Sequence, residues 1–296
     1  MPSSASTSSS NVKFGIYHFP TQESIDPIEL ARAAESAGLD SLWLPDHSHI
    51  PTPATLSPSV AERVEALPRE YWRTLDQLIT LAAISSVTST LQLGTAITLV
   101  PQRDPLWLAK EVATLDVLSG GRVALGIGYG WLAKELAHHG VRFSERRAVF
   151  AEHVLAMKAL WTLDEAEFHG EFVDFDASWA WPKPIQRPHP PLLMGAEPGP
   201  DVLHWMATHC QGWIPPNTAT IDRAIVADIR AHVADAGRDA DEFTICRFGV
   251  LADPGAIEDL VAIGVDHISF TVDCVDRDTA LRQLDAYVAA VQTFRR

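Results

Sequence analysis

Short apolar runs alternate with amphipathic segments along almost the whole chain. VKFGIYHF (Val12 to Phe19), SLWLP (Ser41 to Pro45), LQLGTAITLV (Leu91 to Val100) and RVALGIG (Arg122 to Gly128) read as strands. So do Pro191 to Gly195, Gly212 to Ile214, Phe243 to Gly249 and His267 to Val272. Between them apolar residues recur at helical spacing, as in IELARAAESAG, which Gly38 ends. Asp26-Pro27 and Asp104-Pro105 each read as an N-cap followed by proline at the first helical position. Further helices are predicted over 73–86, 144–162, 201–209, 221–236, 256–263 and 279–293.

Strands that are apolar on both sides belong to a sheet covered on both faces. Eight strand–helix units in one run predict an α/β fold, a (β/α)8 TIM barrel, in preference to a doubly wound open sheet. Two connections are long: one after strand 2, and one before strand 5 that carries the Pro- and Trp-rich insertion Phe168 to Pro191. Barrel sites are built from the loops at strand C-terminal ends. The loop after strand 2 is therefore read as a substrate lid, and 48–69 and 169–190 as the loops that set specificity. Residues 1–11, small and polar, read as a disordered tail without the basic start and apolar run of a secretory signal. Residues 12–296 read as one barrel domain.

Composition narrows the function classes. A chain of 296 residues with 47% hydrophobic and 21% charged residues has ordinary globular make-up and enough length for one barrel. A formal charge of −15 speaks against nucleic acid and anionic membrane as partners. No apolar stretch is long enough to span a bilayer, and a cytoplasmic location is expected. Cys210, Cys246 and Cys274 form no CxxC pair and read as buried thiols in a reducing compartment.

The segment RVALGIGYGWLAKE (Arg122 to Glu135) carries the candidate chemistry. Gly126, Gly128 and Gly130 follow a strand, where absent side chains let the backbone approach a ligand closely. Packing inside the barrel is the competing reading of the same glycines. The spacing does not match a dinucleotide-binding fingerprint.

With its surroundings the segment becomes specific. SGGRVALGIGYGW, GVRFSERRAVFAEHVLAMKALW (Gly140 to Trp161) and PKPIQRPHPPLLMGA (Pro182 to Ala196) resemble the luciferase-like monooxygenase superfamily. So do AAESAGLDSLWLPDH (Ala33 to His47) and Leu91 to Arg122. The likeness runs from the first strand to about Pro216 and is strongest to the branch that uses coenzyme F-420, a deazaflavin hydride carrier. It implies a ring system over the barrel mouth, with Asp46 and His47 at its edge. Thr95, Ala96 and Ile97 would form a bulge against one ring face, where the family often has a non-prolyl cis peptide. Gly128, Tyr129, Gly130 and Trp131, with Gly195 and Ala196, would wrap the ribityl-phosphate tail.

His47 is the candidate proton donor or acceptor, the alternative being that it only hydrogen-bonds the cofactor. Asp46 would orient that imidazole or hold a ring substituent. Glu135 matches a family acidic position; its other reading is an exposed charge at a helix start. Tyr129 stands roughly where family members acting on sugar phosphates carry an acid, which counts against that substrate. FMN is the alternative cofactor and would require a separate flavin reductase. A small-molecule substrate and a homodimer are expected on the same resemblance.

Two readings compete with it. His47-Ser48-His49 has a metal-binding spacing and suggests a barrel hydrolase, but too few further ligands fall at later strand ends, so no metal is expected. The other is a flavin-binding protein without catalysis. Trp179, Trp181 and Trp213, placed at mouth loops or strand ends, are candidates to line an apolar pocket or simply to pack.

Overall fold

Each Asp–Pro pair begins a helix, because the aspartate accepts otherwise unpaired N–H groups of the first turn and proline supplies the helical φ. Asp26 accepts from Ile28 N at 2.8 Å, and Asp104 from Leu106 N and Trp107 N at 3.0 and 2.9 Å. The computed structural model describes residues 12–216 and 218–295. The tail expected over 1–11 lies outside them.

In chain order the elements are β1 (Lys13–His18), α1 (Pro27–Ser36), β2 (Ser41–Leu44), α2 (Pro58–Glu65), α3 (Gln77–Ser85), β3 (Gln92–Leu99) and α4 (Pro105–Ser119). Then come β4 (Val123–Gly128), α5 (Ala133–His138), α6 (Arg146–Thr162), β5 (Ala166–His169), β6 (Asp174–Ser178), β7 (Leu192–Met194) and α7 (Pro200–His209). The chain ends with β8 (Gly212–Trp213), α8 (Arg223–Asp235), β9 (Thr244–Phe248), α9 (Pro254–Ala262), β10 (His267–Val272) and α10 (Arg277–Phe294).

Eight parallel strands close a barrel in the order β1-β10-β9-β8-β7-β4-β3-β2. The expected TIM-type fold is therefore present, and each of its strands lies within a residue of the expected bounds. Alternate strand residues face outward into the helix layer, as Phe14 and Ile16 do, or inward. Trp43 fills the barrel interior, with room made by glycine. A Cβ on Gly94 would lie 2.0 Å from the Trp43 ring, and one on Gly15 1.9 Å from Ser41 Oγ. Trp43 Nε1 donates to Ser41 Oγ at 2.7 Å, and the Ser41 hydroxyl donates to His267 Nε2, also at 2.7 Å. Phe248 meets Trp43 edge-on, with ring centroids 5.4 Å apart, and this layer closes the mouth from below.

The long connections are more ordered than their composition suggests. The loop after β2, expected to be a substrate lid, contains α2, begun by Pro58 at its first position, and α5 follows the β4 glycine loop. The insertion before β7 forms an antiparallel hairpin, β5–β6. Its turn is anchored on α6, where the Glu152 carboxylate accepts from the backbone N–H groups of Glu171, Phe172 and Val173. This insertion joins a helix to the start of the next strand and packs on the outside of α4 and α6. It does not reach the mouth, so the specificity role expected for 169–190 is corrected. Among the described residues no helix is long and apolar enough to cross a membrane.

Candidate active site

The β3 strand breaks register between Thr95 and Thr98, and the Ala96–Ile97 peptide in that bulge is cis. A chain of side chains holds the bulge. Gln77 Nε2 donates to Thr98 Oγ1 (3.1 Å), Thr98 Oγ1 to Thr95 Oγ1 (3.0 Å), and Thr95 Oγ1 to the Gly126 carbonyl (2.9 Å). Ala96 and Ile97 thereby form one side of a cavity of about 530 Å³ at the strand C-terminal ends. Tyr129, Gly130 and Trp131 after β4, and Gly195, Ala196 and Glu197 after β7, continue its wall.

The glycines divide between two jobs. Gly126 and Gly128 do not line the cavity. A Cβ on Gly126 would lie 2.1 Å from the Thr95 carbonyl oxygen, and one on Gly128 2.1 Å from Ile97 Cδ1. Their role is to let β3 bulge toward β4, so the direct ligand contact expected of them gives way to packing. Gly130 and Gly195 do face the cavity, and Gly130 adopts φ +76°, which favours glycine.

His47 leaves the end of β2, and its Nδ1–H donates to the Glu135 carboxylate at 3.1 and 3.2 Å. Glu135 is 1% exposed, so it is a buried partner and not the exposed helix-start charge that was its other reading. With Nδ1 committed, Nε2 is left without a protein partner among the described residues and is open to the cavity.

Asp46 does not orient the imidazole. Its carboxylate accepts from Leu99 N (3.0 Å) and from Arg103 Nε and Nη2 (3.0 and 2.8 Å), which ties the end of β3 to β2. Burial disfavours the Arg103 cation, but Asp46 and then Asp76 more than offset it and raise its pKa. Arg103 was missed from sequence. Its position just before the Asp104-Pro105 cap, at a strand C-terminal end, was the available signal.

The other His-x-His member turns elsewhere. His49 Nε2 lies 2.7 Å from His138 Nδ1, and Ser48 Oγ lies 2.7 Å from His139 Nε2. The lid and α5 are therefore joined by side chains on three successive lid residues, His47, Ser48 and His49. Arg63 of α2 adds a further tie, 4.9 Å over the Trp131 ring.

Trp179, Trp181 and Trp213, candidates for an apolar pocket, are not in the cavity's lining. Trp213 is fully buried and donates from Nε1 to the Ala196 carbonyl at 2.8 Å, so it backs the cavity wall. Trp179 and Trp181 lie on the hairpin insertion, exposed and outside the barrel. The opposite wall instead carries Tyr17, Phe19, Tyr71 and Phe248, none of which was singled out from sequence.

The cavity fits a phosphorylated tricyclic ring system. The bulge offers a flat apolar side, His47 Nε2 is a free polar atom at the edge, and Gly195 makes a wall without a side chain. Arg147 lies 5.3 Å from the Tyr129 ring on the same side and can face a phosphate. Gln102 Nε2 is buried without a partner beside Gly130, a further donor for a tail passing that loop.

Comparison with known proteins agrees with this geometry. An uncharacterized protein of Mycobacterium tuberculosis is 43% identical over 229 residues, covering 76% of this chain and 80% of its own. An F-420-dependent glucose-6-phosphate dehydrogenase of Amycolatopsis mediterranei is 30% identical over 202 residues, covering 64% of this chain and 52% of its own. An FMNH(2)-dependent dimethylsulfone monooxygenase of Pseudomonas putida is 35% identical over 138 residues, 45% of this chain and 38% of its own. Among solved structures, monooxygenase RslO1 from Streptomyces bottropensis superposes with a TM-score of 0.79 at 21% identity, over 96% of this chain and all of that one. The relatives thus include proteins named for F-420 and for reduced FMN, and both kinds are oxidoreductases. Residues 12–253 match the family model described as luciferase-like monooxygenase, and the chain belongs to that family of oxidoreductases.

Proposed function

We propose that the protein is a coenzyme F-420-dependent oxidoreductase that moves a hydride to or from a small organic substrate. The observation that carries this reading is the His47–Glu135 pair, which leaves Nε2 of a buttressed imidazole facing the cavity. The deazaflavin, when bound, supplies or accepts two electrons and a proton as hydride. The chain's own residues do the rest. The Ala96–Ile97 bulge would support one ring face, while Tyr129 to Trp131, Gly195, Ala196 and Arg147 would hold the phosphorylated tail. Asp46 and Arg103 keep the bulge in place. His47 Nε2 takes the hydroxyl proton of an alcohol as its carbon loses hydride, or returns it in the reverse direction. Glu135 holds the imidazole through its Nδ1–H.

Parallel fluorescence titrations with F-420 and FMN test the cofactor. F-420 is expected to bind at least tenfold more tightly. Tight FMN binding with no F-420 affinity would reverse the choice to a reduced-FMN monooxygenase served by a flavin reductase, a reading supported by the likeness to the dimethylsulfone enzyme.

We also propose a homodimer through α3 and α4. Ile79, Trp107 and Leu118 there are 74%, 68% and 64% exposed, an apolar face unusual for a monomer. Light scattering should give twice the chain mass for the wild type and the single-chain mass for Trp107→Asp. A wild-type monomer would end this proposal.

A further inference from the structure

Across the mouth from the bulge, four aromatic rings form one continuous wall. Phe248 and Tyr17 meet edge-on at 5.7 Å, Tyr17 and Phe19 at 5.5 Å, and Phe19 and Tyr71 tilt together at 4.7 Å. Tyr71 then lies 5.5 Å from the His47 ring, so the wall ends at the proposed proton-transfer group. The rings come from β1 and the residue after it, β9 and the loop after β2, whereas the proposed cofactor cradle comes from β3 and the loops after β4 and β7. The barrel order places these two sets on opposite sides of one cavity.

The wall carries two phenols, Tyr17 on the barrel and Tyr71 on the loop after β2. Tyr17 Oη has no hydrogen-bond partner among the described residues, yet it is not sealed in, because the residue lines the cavity. A phenol left without a protein partner at a ligand-sized opening is a donor waiting for a ligand acceptor. Burial, with Tyr71 and Glu70 nearby, raises its pKa well above the usual phenol range, so it remains a donor at neutral pH.

Charge is distributed just as unevenly. Among the described lining residues, Asp46 is engaged by Arg103, and Glu197 accepts from Thr218 Oγ1 at 2.9 Å. Arg147, the lining cation with no carboxylate partner among the described residues, lies on the cradle side beside Tyr129. A cofactor phosphate would claim it. A second dianion on the aromatic side would meet rings and two phenols and no lysine or arginine among the described lining residues, which makes its desolvation uncompensated.

We infer that the aromatic wall is the substrate face, and that it selects an uncharged, flat, aromatic or conjugated carbonyl compound, or the matching alcohol, whose oxygen is held by Tyr17 Oη. This rests on the oxidoreductase reading above and names its substrate class. Aromatic faces favour stacked or edge-on contact with a flat ligand, and a phenol donor fixes the oxygen without penalising neutral substrates.

The test is direct binding of acetophenone, 1-phenylethanol and glucose 6-phosphate to the protein loaded with F-420, or with FMN if that is the cofactor it takes. The first two are expected to bind and the sugar phosphate not. Tyr17→Phe keeps the ring and loses the donor, so acetophenone affinity should fall about tenfold with cofactor affinity unchanged. Phe248→Ala, which shortens the wall, should weaken acetophenone and leave cofactor affinity within twofold. Unaltered acetophenone affinity in Tyr17→Phe, or tighter binding of glucose 6-phosphate than of the aryl ligands, overturns the inference. Loss of cofactor affinity in the wild type would instead count against the oxidoreductase reading. In that case acetophenone titration of the cofactor-free protein and of its Tyr17→Phe form still decides the role of the wall.

Discussion

His47→Asn should lower turnover with an aryl ketone by about 10²- to 10⁴-fold while leaving cofactor affinity within a few-fold, because proton transfer by a positioned imidazole contributes on that scale. The variant retains a hydrogen-bonding side chain at the ring edge but cannot exchange a proton near neutral pH. Glu135→Gln separates positioning from proton transfer. The carboxylate can only accept, which commits Nδ1 as donor and leaves the Nε2 lone pair toward the cavity. An amide at 135 can turn its NH₂ to Nδ1, and the ring proton then moves to Nε2. Alcohol oxidation and ketone reduction share one transition state, so both should slow together, by about tenfold. The nitrogen chemical shifts of His47 report the tautomer independently of turnover. Unchanged turnover in His47→Asn with cofactor bound would show that the imidazole moves no proton. An unchanged tautomer and unchanged turnover in Glu135→Gln would remove its positioning role.

The barrel was legible because its strands are apolar on both faces, a signal that survives without any tertiary information. The β5–β6 hairpin was not. Its order depends on Glu152, a helix residue whose carboxylate gathers three N–H groups of the turn. The misplacement of Trp179 and Trp181 has a different origin. A connection from helix to strand starts at the far end of a barrel from its mouth, so topology alone argued against a pocket role for them. Asp46, His47 and Glu135 were visible through family likeness, but their division of labour was not. Which carboxylate meets the imidazole depends on Arg103 claiming the other, and no sequence spacing encodes that competition. Tyr17 and Phe248 are inward-facing residues at or near strand ends. Alternation places them on the inner face, yet nothing in the alternation separates an inner residue at the mouth from one in the packed barrel below.

The same packed layer makes the fold sensitive to mild acid. His267 is 2% exposed, and burial, with the charge of Lys13 adding to it, lowers its pKa from 6.5 to about 3. His18, fully buried with Nδ1 2.9 Å from the Val272 carbonyl, is shifted in the same direction by burial. Both rings are neutral in the folded chain and free to take a proton when it unfolds. Their contribution to stability is therefore complete above pH 6.5 and is lost as the pH falls, for His267 across the window from 6.5 toward 3. His267 alone removes about 1.4 kcal/mol per pH unit in that window, so about 2 kcal/mol has gone by pH 5. Glu35 acts lower down. Partial burial raises its pKa, but hydrogen bonds from Thr90, Leu91 and Ser89 outweigh this and hold it at about 2. Its stabilisation is present above 4.5 and fades only below it, so the two effects occupy different windows. Urea unfolding at intervals from pH 7.5 to 5 should show stability falling with a slope of at least one proton, reduced by about one in His267→Gln. That variant is expected to fold at pH 7.5, since glutamine can still accept the hydrogen bond of Ser41. A flat stability profile between pH 7 and 5 in the wild type would mean that His267 is already charged in the folded barrel.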